Sequence, residues 1–97
     1  MKTNITCADQ TITLVGELSF NTVQKLQDLS KEMSFPYDAE VVLDLAQVTK
    51  VDSSALALCL ALEKRLLANK STLAYINIPT ALLDIAQSVG VQSLFPQ

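Results

Sequence analysis

A chain of 97 residues, 49% hydrophobic and without tryptophan, is long enough for one domain whose core of Leu, Val, Ile and Ala needs neither metal nor disulfide. Its net charge of −3 argues against a nucleic-acid surface, because such surfaces draw most of their affinity from Lys and Arg. The absence of histidine excludes Ser-His-Asp and Cys-His catalysis, and 2 glycines cannot build a phosphate-cradling loop. Cys7 and Cys59 form neither a C-x-x-C pair nor a zinc ligand set, and Cys59 lies inside an apolar run, as a core residue does. The start, MKTNITCADQ, has no charged segment followed by an apolar one, so no secretory signal is expected. The longest apolar run, Ala55 to Leu62, falls far short of the roughly twenty residues that span a bilayer, and a cytoplasmic protein is the expectation.

In chain order, Asn4 to Cys7 and Thr11 to Leu18 read as two strands of a hairpin turned at Ala8-Asp9-Gln10, with Ile12 and Leu14 alternating against Thr11, Thr13 and Val15. Gly16 interrupts the second strand, as a bend, a bulge or a close backbone approach would require. Phe20, Val23, Leu26, Leu29 and Met33 then recur at spacings of three and four, the apolar face of a helix that Ser19 or Asn21 can cap and Pro36 must end. Val41 to Leu45 is a β-branched and leucine run expected of a central strand covered on both faces. Asp44 is its exception and belongs at an exposed sheet end or among neighbouring amides, since an unpaired buried carboxylate is costly.

A polar loop, Gln47 to Val51, leads to a helix from Ser53 to about Asn69, of roughly 25 Å at 1.5 Å per residue. Its first half is apolar nearly all round, and Lys64, Arg65 and Lys70 toward its end complement the helix dipole, as Asp52 does at its start. Thr72 to Ile78 alternates as a strand. Pro79 suits the first turn of a last helix, carrying Leu82, Leu83, Ile85, Ala86 and Val89, which Gly90 ends. Val91, Leu94 and Phe95 are expected to dock back on the core, leaving Pro96 and Gln97 at the edge. The order β-β-α-β-α-β-α predicts an α/β fold in which a single mixed β-sheet is backed by helices, as one domain over residues 1–97.

The carboxylates are dispersed along the chain, so spacing assigns neither a metal site nor a catalytic pair, and no enzyme activity or cofactor is expected. Asp52-Ser53-Ser54 remains, at a helix start directly after a buried strand and its loop. Taken by themselves these residues are good helix caps. They also suit an electropositive spot, made by uncapped amides and the dipole, that tolerates a phosphate on Ser53 or Ser54 or an acidic group of a partner.

The stretch VTKVDSSALALCLALEKRL resembles the motif of the STAS family (sulfate transporter and anti-sigma-factor antagonist): strand, short loop, Asp-Ser-Ser/Thr-Gly-Leu, helix. LVGELSFNTVQKL is similar to that family's Gly-Glu-Leu turn into its first helix, with Thr22 at the usual threonine, and IPTALLDIAQSVGVQSLF to its closing helix and tail. The likeness covers nearly the whole chain and implies a STAS fold. In the anti-sigma-antagonist branch the first serine after the aspartate is phosphorylated by a partner kinase, and Ser53 occupies that position. Two residues depart from that branch: Ala55 replaces the usual glycine, and Ser19 stands where aspartate often follows Gly-Glu-Leu. With the compact length, they make the chain look more like the small STAS subunit (MlaB-like) of the Mla-type phospholipid ABC transporter.

That likeness implies a non-catalytic subunit that binds the transporter's ATPase at the inner face of the membrane, with no cofactor and no insertion into the lipid. The alternative it leaves is an anti-sigma factor antagonist, with an anti-sigma factor or serine kinase as partner and Ser53 as the phosphorylation site. The partner-binding residues implied are Glu17, Ser19 and Asn21, then Thr49, Lys50, Asp52, Ser53, Ser54 and Leu56.

Overall fold

The computed structural model describes residues 2–95. Four strands, β1 (Asn4–Ala8), β2 (Thr11–Leu18), β3 (Glu40–Val51) and β4 (Thr72–Ile76), form one sheet in the order β1-β2-β3-β4. β1 pairs antiparallel with β2, whereas β2 with β3 and β3 with β4 are parallel. The parallel pairs are bridged by α1 (Val23–Lys31) and α2 (Ser54–Ala68), and α3 (Thr80–Ser88) with a short 3₁₀ turn (Gln92–Leu94) follows β4. The mixed sheet, its connection order and its helices are those the sequence predicts.

Period-two burial decides which face the helices cover. Ile12, Leu14 and Leu18 of β2 and Val41, Leu43 and Leu45 of β3 are buried, together with Leu58, Leu62 and Leu66 of α2 and Leu82 and Ala86 of α3. The residues between them, Thr13, Val15, Val42 and Asp44, are half-exposed on the opposite face. The expectation that β3 is covered on both faces is therefore corrected, because the helices lie on one side only. Asp44 is accommodated on the open side, where its Oδ1 accepts hydrogen bonds from the Ala46 amide at 2.9 Å and the Asn77 side chain at 3.0 Å.

The expected loop from Gln47 to Val51 is also corrected: it is the second half of β3, in register with Val15 to Leu18 of β2. Its polar side chains stand where no helix covers the sheet, so they leave no buried alternation to read. Gly16 (φ +94°) sits between register shifts of this pairing, and a Cβ there would lie 3.0 Å from Thr3 Cα, so both the bulge and the close approach are realised.

At the helix ends, Thr22 rather than Ser19 or Asn21 is the residue that starts α1. Phe20 precedes the helix and is 80% exposed, so it does not belong to the expected apolar face. Pro79 stands just before α3 rather than within its first turn. β4 ends two residues short of the expected Ile78, because Asn77 turns to a positive φ of 55°. Gly90 (φ +78°) closes α3 as predicted, with the Val91 amide donating to Ala86 O at 2.8 Å, and Phe95 is buried at the core edge. Pro96 and Gln97 lie outside the described residues.

Candidate functional site

β2 and β3 are parallel neighbours, and Leu18 and Val51 are register partners at their C-terminal ends. The turn into α1 and the turn into α2 therefore emerge side by side, the position where parallel sheets present functional groups. Asp52 joins them. Its N–H donates to Leu18 O at 3.1 Å, its Oδ2 accepts the Phe20 amide at 3.0 Å, and its Oδ1 accepts the Ser54 amide at 2.8 Å. The Phe20 hydrogen bond, followed by that of Ser54, holds the Asp52 carboxyl below the usual carboxylate range, because both favour the charged form.

Asp52 thereby occupies the helix start from within. The Ala55 amide goes to Asp52 O at 3.0 Å and the Leu56 amide to Ser53 O at 3.1 Å. The expected electropositive spot of free amides is corrected accordingly: the amides of Ser54, Ala55 and Leu56 are already bonded inside the chain. The Ser53 side chain takes no part in this capping and is exposed, and Ser54 is half-buried.

The turn from Glu17 to Thr22 is held by its own hydroxyls. Ser19 Oγ donates to Glu17 Oε2 and accepts the Asn21 amide at 3.3 Å. Thr22 Oγ1 donates to Glu17 O at 2.7 Å and accepts the Ser19 amide at 2.9 Å. Ser19 is 5% exposed and supports the turn from beneath. Leu56 is 7% exposed and part of the core. Glu17 is a register partner of Lys50, Thr49 and Lys50 are exposed at the end of β3, and Asn21 is exposed in the turn. The structure thus places Glu17, Asn21, Thr49, Lys50, Asp52 and Ser53 at one end of the sheet. Sequence reading missed Phe20, because its spacing to Val23 imitates a helix face.

Away from this end, burial pushes the Cys59 thiol up to about 12, which leaves it protonated and unreactive at neutral pH. Among the described residues the buried Tyr75 hydroxyl has no hydrogen-bond partner, and burial shifts it upward as well. Among the described residues, no group of three or more His, Cys, Asp or Glu side chains stands where it could hold a metal ion. Nor is any helix among them long and apolar enough to cross a membrane.

A mixed four-stranded sheet with helices on one face, and a polar helix start beside the β2–α1 turn, define a small α/β domain of the STAS kind. The chain belongs to the family described as Mlab, STAS domain, whose family model matches residues 1–96. No curated protein matches the sequence. Among solved structures it is similar to the anti-sigma factor antagonist SpoIIAA in its unphosphorylated form, at 16% identity and a TM-score of 0.70, over 98% of this chain and 86% of that one. It also resembles Mglu, at 19% identity and a TM-score of 0.54, over 76% of this chain. The native form of Mglu matches at 15% identity and a TM-score of 0.50, over 78% of this chain. The chain spans only 19% and 23% of those two Mglu chains. At these identities the structural likenesses speak for the fold alone.

Proposed function

We propose that this protein is a non-catalytic STAS subunit that docks on the ATPase of a phospholipid-transport ABC transporter and supports its activity, cytoplasmic and held at the inner membrane through that partner. The reading rests on the family match over residues 1–96, described as Mlab, STAS domain. The residue pattern supports it through Ala55 after the serine pair and Ser19 after Gly-Glu-Leu. The docking face is the rim formed by half-buried Glu17 and exposed Asn21, Thr49, Lys50 and Ser53, with Asp52 and Ser54 bonded to each other between its two segments. In a pull-down with the transporter's ATPase, Ser53→Arg should reduce capture about tenfold, because a large cation at the centre of a docking face removes shape and charge complementarity together. Capture by folded Ser53→Arg at the wild-type level would move the docking face elsewhere.

A second reading, an anti-sigma factor antagonist switched by phosphorylation of Ser53, is favoured by the exposure of that side chain and its freedom from capping. The unphosphorylated antagonist SpoIIAA shares the fold. With the neighbouring amides already bonded, a phosphate on Ser53 would gain little from the helix start and would act by adding nearly two negative charges beside Asp52, repelling an acidic partner. Mass spectrometry after incubation with ATP and the cognate serine kinase tests it. A phosphate confined to Ser53 supports the switch, and an unmodified Ser53 removes it.

A further inference from the structure

Phe20 is 80% exposed, the most exposed large apolar side chain among the described residues. The fold uses only its backbone, whose N–H bonds Asp52 Oδ2 across 32 positions of sequence. Any residue other than proline can make that bond, so the fold does not account for the aromatic ring. A lone exposed apolar side chain is ordinary in itself. Two observations separate Phe20 from exposed Tyr37, Leu67 and Val89. It stands in the turn that Asp52 joins to the α2 start, next to exposed Ser53. Its backbone is also fixed on both sides: Ser19 is buried and bonded to Thr22, and Thr22 is bonded back to Glu17. An aromatic ring on a pinned backbone has only two torsions to lose on docking, which is why such rings make strong interface anchors.

The carboxylate of Asp52 is bonded to the Phe20 amide, and that of Glu17 lies in the same turn, bonded to the Ser19 hydroxyl. Exposed Lys50, the register partner of Glu17, sets one cation against these two carboxylates and leaves this end net acidic, so a surface complementary to it is an apolar pocket with cationic donors on its rim. We infer that Phe20 is the anchor of the docking face, seated in such a basic-rimmed apolar pocket of the ATPase subunit, with Asp52 as the positioning residue that aims it. This rests on the function proposed above and deepens it by naming the contact.

The test is a binding titration of the full chain against the transporter's ATPase subunit, with melting temperatures measured in parallel. Phe20→Ser should weaken binding about tenfold or more, the loss expected of a truncated central aromatic. Its melting temperature should stay at the wild-type value, Phe20→Tyr should bind within about threefold of wild type, and Leu67→Ser should bind as wild type does. Loss of binding in Ser53→Arg with wild-type affinity in Phe20→Ser would overturn the anchor and leave the docking face standing. A wild-type chain that does not bind the ATPase would overturn both the anchor and the function on which it rests.

Discussion

Replacing Arg65 with alanine should destabilise the fold by about 3 kcal/mol and lower the melting temperature by roughly 15 °C. The guanidinium reaches from α2 to the end of α1, where it donates to the carbonyl of Ser30 and, at 3.0 Å, to that of Met33. It also lies over the Phe35 ring, 4.5 Å from the centroid. Ser30 O also accepts the Met33 amide at 3.0 Å, so the guanidinium is its second donor, and hydrogen bonds from a charged donor are worth about 1.5–3 kcal/mol each. The cation–π contact adds about 0.5–1 kcal/mol, and the terms overlap because one side chain makes them all. Arg65→Lys should recover less than half of the loss, since a single ammonium cannot reproduce a planar fork over a ring and between two carbonyls. Thermal unfolding followed by circular dichroism checks both variants. A loss below about 1 kcal/mol in the alanine variant would mean that water satisfies the two carbonyls as well as the guanidinium does.

Asp52→Ala should have the second large effect, and its pH dependence identifies the cause. The carboxyl is held below its ordinary range by the Phe20 and Ser54 amides, so the folded state favours the ionised form. A group whose pKa falls on folding contributes stability that is present above its unfolded value of about 4 and lost as the pH falls through the lower folded value. The alanine variant should therefore melt below the wild type at pH 7, and the two curves should converge as the pH falls through the lowered folded value. Asp44, shifted the same way chiefly by the Asn77 side chain, is present in both proteins and cancels from the comparison. A melting difference unchanged between pH 7 and pH 2.5 would assign the effect to packing. Capture of the ATPase by Asp52→Ala should fall about tenfold at pH 7, because the turn and the helix start are no longer tied into one face.

What the chain states locally is its pattern of burial. Ile12, Leu14 and Leu18 at alternate positions, the three-and-four spacing of the helices, Asp52-Ser53-Ser54 ahead of a helix and Gly90 behind one all carry their structural meaning within a few residues. The element order, the mixed sheet and the helix start that bears Ser53 were therefore legible. The tertiary structure decided what depends on neighbours distant in sequence. Gln47 to Val51 became strand because β2 lies beside it, although no helix covers its polar side chains. Phe20 fell outside its helix because the Glu17–Thr22 turn closes on its own hydroxyls before α1 begins. Ser19 and Leu56 turned inward, buried by neighbours that local spacing does not record. Periodicity records which side of an element meets the core, but it holds no record of which loops share an end of the sheet. The Asp52 carboxylate finds the Phe20 amide, 32 residues away, only because two parallel strands end together.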